Sequence, residues 1–318
     1  MMSTGTPPEP PFVSVVVPVY NDAGRIWQCI EALLNQSYPH DRYEILVVDN
    51  GSTDNTREVI AKYPVTLLVE DKKQSSFAAR NCGLAQARGT IIATTDSDCT
   101  PAPAWLAEGV RPIVEQQADL VGGNVRFVFS SHPTAAEIYD SLTNMQMEHG
   151  IRTRGVAKTA NLFARAELFE QLGPFDDTVR SGGDVRWTSN ATEHGFRLVY
   201  VAKAEVAHPT RNLRELLRKQ YRVGLGQRSI PVRNRPGANY LQQWSQRWGV
   251  LGRAYFWVRE LGPDSPRWLR QVMGSRQLPV SGPTFIRVLL VGWLARLTTR
   301  VARATPKLNA GLFGGRRG

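Results

Sequence analysis

The sequence predicts an α/β fold: a mostly parallel sheet with helices on both faces, followed by a basic, mainly helical C-terminal extension. Three observations lead there. Between Phe12 and Thr95, short and nearly continuous apolar runs alternate with segments of helical spacing, the pattern of strands covered on both faces by crossover helices. Turns rich in Asp, Asn and Gly close several of these runs. Charge is divided unequally: residues 1–208 hold 18 Lys and Arg against 25 Asp and Glu, a balance of −7, whereas residues 209–318 hold 21 against 3, a balance of +18.

The elements follow in order. Phe12–Val19 is an apolar, β-branched run and predicts the first strand. Ala23–Gln36 places Ile26, Ile30, Leu33 and Leu34 at helical spacing. Tyr43–Val48 is a second strand, and Asp54–Lys62 a short helix capped by Thr53 or Asp54. Val65–Val69 is a third strand, Ser76–Ala87 a helix and Thr90–Thr95 a fourth strand. Pro103–Glu115 reads as a helix that Pro112 kinks or ends. After Leu120 the alternation loosens: Leu120–Phe129 is a strand, Ala135–His149 a helix, Thr159–Phe163 a short extended piece and Arg165–Leu172 a helix. Phe196–Ala202 is a strand with Glu205–Ala207 close behind. Beyond His208 the signals are helical: Leu213–Val223, a stretch through Trp244, Trp248, Trp257 and Trp268, and Thr284–Ala304. This predicts an α/β domain over 12–225, a basic Trp-rich helical extension over 226–310, and disordered ends at 1–11 and 311–318.

Chemistry concentrates at the strand ends. Asp96-Ser97-Asp98 follows the fourth strand, where an open α/β sheet places its ligands. Paired carboxylates there suit Mg²⁺ or Mn²⁺ bridging phosphates, although an acidic loop alone is a common structural feature. The first strand runs into Pro18-Val19-Tyr20-Asn21-Asp22, offering an aromatic ring for a base and a carboxylate for a base or ribose. The second runs into Asp49-Asn50-Gly51-Ser52-Thr53-Asp54, where Asp49 can accept from a nucleobase N–H and the following residues can cap a helix. Arg80, in Ala79-Arg80-Asn81-Cys82-Gly83, can pair with a phosphate or with the acidic site.

These four motifs, in this order and spacing, resemble the nucleotide-sugar-binding half of the family 2 glycosyltransferases, which have the GT-A fold; the likeness extends over roughly residues 12–225. It implies a nucleotide-diphosphate sugar donor, with a UDP-sugar expected, a divalent cation (Mn²⁺ or Mg²⁺), and inversion at the anomeric carbon. By the family pattern Asp49 binds the base, Asp96 lies near ribose and metal, and Asp98 coordinates the metal; Pro18, Tyr20, Asp22 and Arg80 belong to the donor site. Ala160–Arg165 and Leu172-Gly173-Pro174-Phe175-Asp176 resemble segments that precede the family's catalytic loop. That loop falls on Ser181-Gly182-Gly183-Asp184, which makes Asp184 the expected general base, since an acceptor hydroxyl must lose a proton as it attacks. Gly183 would let backbone approach the sugar, and Trp187 either stacks on a sugar face or fills the core. His208 resembles the family's metal-binding His. The chain departs from the pattern at Arg186 and Asn190, where many members carry an acidic residue and an Arg; the departures bear on the acceptor rather than on the chemistry.

The remaining features bound partners and location. Three cysteines, Cys29, Cys82 and Cys99, show no metal-ligand spacing and read as reduced, mostly buried thiols of a cytoplasmic protein. No signal-peptide pattern opens the chain. Arg287 and Arg296 bracket an apolar run too short to span a bilayer, which needs about 20 residues. Arg296, Arg300 and Arg303 fall on one helical face, so the helix suits an anionic membrane surface or packing on the catalytic domain. The expected role is addition of a single sugar to a glycan or lipid-linked acceptor in cell-envelope or polysaccharide synthesis, because Gln243 and Arg247-Trp248 miss the spacing of processive synthases. Two other classes compete: a nucleic-acid-binding protein using the basic third, disfavoured by the absence of any such motif, and an inactive GT-A scaffold, disfavoured by the intact Asp96, Asp98 and Asp184.

Overall fold

In the computed structural model, residues 9–179, 181–226, 265–275, 278 and 281–304 are described. The predicted N-terminal arm up to Pro8, the C-terminal tail, and Trp244, Trp248 and Trp257 lie outside them. The chain divides into two compact units. The first comprises residues 1–130, 143–178 and 183–210; the second comprises 131–142, 179–182 and 211–318.

The first unit is built on a sheet that has eight strands among the described residues. β1 (Val13–Val19) lies between β2 (Tyr43–Asp49) and β4 (Ile91–Thr95), parallel to both, and β3 (Thr66–Val69) extends the parallel edge beside β2. The helices α1 (Ile26–Leu34), α2 (Thr56–Ile60) and α3 (Ser76–Gln86) make the crossovers. Every residue of β1 is buried, which explains why its sequence is apolar without alternation. Val16, Leu46, Val48, Ala79 and Ile92 form one core cluster between sheet and α3. Gly83 permits that contact: a Cβ there would lie 2.5 Å from Val16 Cγ1.

Strand order reverses direction at β1, whose neighbours are β2 on one side and β4 on the other. The crevice beyond the carboxyl ends of these strands is where such sheets bind ligands. Past β4, the sheet continues through β7 (Asn161–Arg165), β6 (Leu120–Val128), β8 (Leu198–Pro209) and the two-residue β5 (Thr100–Pro101). β7 runs antiparallel to both β4 and β6, so the sheet is mixed rather than wholly parallel. An apolar run buried on both faces carries no directional signal, which is why its sense was not readable. The two short strands expected over 196–207 are one strand, β8, whose register against β6 jumps between Gly123 and Asn124. α4 (Trp105–Val114) continues through Pro112, which sits near its end.

Two helices differ from expectation. Ala135–His149 is not continuous: α5 (Ala135–Thr143) and α6 (Met147–Arg154) are separated by a turn in which Met145 has φ 42°. After α7 (Glu167–Leu172), the segment read as a Gly-Gly-Asp loop begins α8 (Gly183–Glu193).

The second unit contains most of α5, α9 (Leu213–Gly226) and two further helices, Pro266–Ser275 and Gly282–Ala304. Asp140 of α5 is fully buried and lies 3.3 Å from both Arg211 Nη1 and Lys219 Nζ. Gly224 lets α9 approach the last helix closely, and Thr299 donates to Gln220 Oε1 at 3.0 Å. On that last helix Phe285, Val288, Ala295 and Ala302 are buried, whereas Ile286, Leu290, Trp293 and Val301 are exposed. Its outward stripe is therefore apolar, while Arg296, Arg300 and Arg303 are half-buried. No described helix is long and apolar enough to cross a membrane.

Candidate active site

The turns that follow β1 and β2 are stitched together. Asn21 adopts φ 47°, its N–H donates to Ser52 Oγ at 2.9 Å, and its Oδ1 accepts from the Thr53 N–H at 2.7 Å. Next to it Tyr20 stands 48% exposed at the strand end, while Pro18 is buried within β1. Asp22 is buried, and its Oδ1 accepts from Arg25 Nε at 2.7 Å. Asp49 is fully buried at the end of β2. Its Oδ2 accepts from Arg57 Nε at 2.6 Å and from the Ser52 N–H at 3.2 Å, whereas Oδ1 has no hydrogen-bond partner among the described residues. Arg57 thus offsets the cost of burying the charge on one side and leaves an acceptor on the other. Gly51, at φ +77°, makes the turn that folds Ser52 back onto the carboxylate.

The loop after β4 touches a different motif at each residue. Arg80, only 3% exposed on α3, forms a short ion pair with Asp96 Oδ1 and donates from Nη1 to the Ser76 carbonyl at 3.1 Å. Ser97 Oγ donates to Asp22 Oδ2 at 2.7 Å. Asp98 Oδ2 lies 3.6 Å from His208 Nε2. His208 Nδ1 lies 2.6 Å from the Pro209 carbonyl, a contact that requires the proton on Nδ1 and turns Nε2 toward Asp98. Beneath the loop, Cys29 Sγ donates to the Asp96 carbonyl at 3.6 Å, and burial pushes the Cys29 and Cys99 thiols well above their ordinary range.

These residues fit a divalent cation. Two donors sharing one ion at bond lengths of about 2.0–2.2 Å lie roughly 3.0 Å apart at octahedral angles and roughly 3.4 Å apart at tetrahedral ones, so the Asp98–His208 separation of 3.6 Å needs only a small side-chain shift to hold either. Asp98, Cys99 and His208 together form a group whose ligand atoms all lie within 4.8 Å of one another. The cysteines showed no metal-ligand spacing along the chain; the fold brings one of them to His208 from far away in sequence.

Asp184 occupies the first turn of α8, where the helix dipole favours a carboxylate. Its Oδ1 accepts from the Val185 N–H at 2.8 Å and its Oδ2 from the Thr159 N–H at 3.4 Å. Thr159 is itself tied to the end of β4, since Thr94 Oγ1 donates to its carbonyl at 2.8 Å. The carboxylate is therefore linked to the strand that runs into Asp96 and Asp98. Gly183 is set against α3: a Cβ there would lie 3.0 Å from the Phe77 ring. Trp187 is buried, its ring stacked on Phe169 at 4.3 Å and its Nε1 donating to the Gly173 carbonyl at 2.8 Å. Of its two expected roles, core packing fits this placement and a sugar platform does not. Arg186 is exposed and pairs with Asp176 at 2.9 Å.

Several supporting residues escaped sequence reasoning. Arg57, in the first turn of α2, and Ser97, in the loop after β4, are single polar residues in polar segments and carry no signal of their own. Asn81 was visible only as part of a motif. Its Nδ2 donates to the Phe175 carbonyl at 2.8 Å and its Oδ1 accepts from the Phe175 N–H at 3.0 Å, clamping α3 to the turn before α8.

Comparison with known proteins gives the family. The model of glycosyl transferase family 2 matches residues 14–161. Glycosyltransferase AglE of Haloferax volcanii is 42% identical over 298 residues, 92% of this chain and 95% of that protein. The chain belongs to glycosyl transferase family 2. Among other glycosyltransferases, the pre-mycofactocin glycosyltransferase of Mycobacterium tuberculosis is 29% identical over 232 residues, 70% of this chain and 48% of that protein. In fold, the chain resembles a solved mannosyltransferase, PcManGT from Pyrobaculum calidifontis in complex with GDP-Man and Mn²⁺. The TM-score is 0.61 at 21% identity, over 93% of this chain and 88% of that one. The sheet is thus the GT-A arrangement expected, and the chain is a glycosyltransferase.

Proposed function

We propose that this family 2 enzyme transfers one sugar, with inversion, from a nucleotide-diphosphate sugar to a hydroxyl of a glycan or lipid-linked acceptor. The observation that carries the reading is the loop after β4: Asp96 meets Arg80, Ser97 meets Asp22, and Asp98 meets His208. Four separate motifs thereby converge at the carboxyl ends of parallel strands. Tyr20 offers its exposed ring to the base, and Asp49 Oδ1 accepts an N–H from it. Uracil was expected; guanine also presents such a donor, and the Pyrobaculum mannosyltransferase was solved with GDP-Man. A donor screen therefore carries both UDP- and GDP-sugars.

Asp184 takes the proton of the acceptor hydroxyl as its oxygen attacks the anomeric carbon opposite the leaving diphosphate. Mn²⁺ or Mg²⁺ held by Asp98 and His208, with Asp96 beside it, supplies charge stabilisation for that leaving group. Arg80 holds Asp96 in place through their ion pair. Turnover of UDP- and GDP-sugars with Mn²⁺ tests the reading against Asp98→Asn and Asp184→Asn. Loss of general base catalysis lowers kcat by about 10²–10⁴-fold. Full transferase activity in Asp184→Asn would remove it from that role.

The acceptor side includes a membrane proposal. Residues 209–318 carry a balance of +18, and the last helix turns Ile286, Leu290, Trp293 and Val301 outward. A Trp-bearing apolar stripe in a strongly basic region suits peripheral binding to an anionic surface, here the cytoplasmic membrane face. Replacing Ile286, Leu290 and Trp293 together by Ser in the full chain should abolish co-sedimentation with phosphatidylglycerol vesicles. Equal partitioning of that variant would exclude this face as the anchor.

A further inference from the structure

The metal site proposed above rests on Asp98 and His208, and the residue between Asp98 and β5 has a place in it. We infer that Cys99 is a third protein ligand, and that its sulfur biases the site toward borderline-soft cations such as Zn²⁺ and Co²⁺ over Mg²⁺. β5 and β8 pair antiparallel with Thr100 opposite Ala207 and Pro101 opposite Val206. One further step along that register sets Cys99 opposite His208, and directly opposed residues hold their Cβ atoms about 4.5–5.5 Å apart. The carboxylate of Asp98, the thiol of Cys99 and the imidazole of His208 present ligand atoms all within 4.8 Å of one another.

Exposure divides the site into a floor and an opening. Cys99 and His208 are each 1% exposed, whereas the Asp98 side chain is 20% exposed. A cation arriving from the Asp98 side meets sulfur and nitrogen beneath it and keeps its outward positions for phosphate oxygens or water. Coordination forms an S–metal bond and breaks the S–H bond, whose proton passes to solvent. Mg²⁺ takes oxygen ligands in octahedral geometry and gains little from a buried sulfur, whereas thiolate ligands favour softer ions. The neighbouring thiol, Cys29, hydrogen-bonds to the Asp96 carbonyl and serves as the control.

The test uses the full chain stripped of metal by a chelator and titrated with Co²⁺, then with Zn²⁺ by displacement, and separately with Mg²⁺. A near-ultraviolet thiolate-to-cobalt charge-transfer band is expected in the native chain and in Cys29→Ser, and its loss in Cys99→Ser. Zn²⁺ affinity should fall about tenfold or more in Cys99→Ser, at or above the usual effect of disturbing a ligand's supporting partners, with Mg²⁺ affinity unchanged. Cobalt binding to the native chain without a thiolate band overturns the role of Cys99 and leaves the Asp98–His208 site standing. No binding of any of the three cations overturns both. Because the presence or absence of the band is read first on the native chain, a misfolded variant cannot mask the outcome.

Discussion

Removing the amide of Asn81 tests how the donor and acceptor halves of the enzyme are joined. Asn81→Ala deletes the two hydrogen bonds to Phe175, at 2.8 and 3.0 Å. Each is worth about 1 kcal/mol net, and leaving the two backbone groups unsatisfied raises the cost to about 1–3 kcal/mol each, so the expected loss is about 2–6 kcal/mol. For a domain of this size each kcal/mol lowers Tm by about 2–4 °C, so even the lower figure should be visible by thermal or urea denaturation. The Phe175 ring is buried and touches both Phe77 of α3 and Trp187 of α8, with centroids 6.0 and 5.4 Å apart. Loosening it frees the helix that carries Asp184 but leaves the Arg80–Asp96 pair in place. The expected kinetic signature is a kcat reduced by about tenfold, equivalent to about 1.4 kcal/mol, with donor KM unchanged. Wild-type stability together with wild-type kcat would refute the clamp. A raised donor KM at normal kcat would place the effect of Asn81 on the wrong half of the site.

Other outcomes follow from the same geometry. Trp187→Ala should cost about 3–5 kcal/mol in a denaturation experiment, because it empties the stack on Phe169, and acceptor KM should change less in Trp187→Phe than a lost sugar platform requires. Gly183→Ala should lower kcat while donor affinity holds, since its Cβ meets the Phe77 ring at 3.0 Å. Burial raises the Cys29 and Cys99 thiols, so at pH 8 both should react with a thiol reagent far more slowly than in denaturant; immediate labelling of all three cysteines in the native chain would contradict their placement. The Thr178 hydroxyl, donating to Asp176, holds that carboxyl below its usual range, with Arg186 and Lys73 adding to the effect. Its contribution is therefore full above the ordinary carboxylate pKa of about 4 and fades as pH falls through the depressed value. The stability difference between the native chain and Thr178→Ala should shrink accordingly in acid.

Much of the donor half was legible because its signals are local. A largely buried parallel strand is mostly apolar and the turn after it polar, so β1, β2 and β4 and their carboxylates could be read directly. The acceptor half depends on contacts that the sequence does not order. α8 opens on Gly183 and carries Asn190, both poor helix formers, and it is fixed by packing of Trp187 rather than by propensity. Trp187 itself could not be assigned from its type, since a core Trp and a sugar-stacking Trp look alike until neighbours are known. The last helix was correctly placed, but the half-burial of Arg296, Arg300 and Arg303 was not, because helical spacing defines faces without saying which one a neighbour covers.

The shortest strand has a consequence for how this enzyme tolerates change. β5 contains only Thr100 and Pro101, and its pairing with Ala207 and Val206 sets where Asp98, Cys99 and His208 fall relative to each other. A strand displaced by one residue presents its side chains to the opposite face. An insertion or deletion of a single residue between Asp98 and Thr100, or between Ala207 and His208, would therefore separate these side chains even though each remained in the chain. The two residues of β5 act as a ruler: these two intervals would have to be carried over whole in any chimera meant to keep the three side chains together.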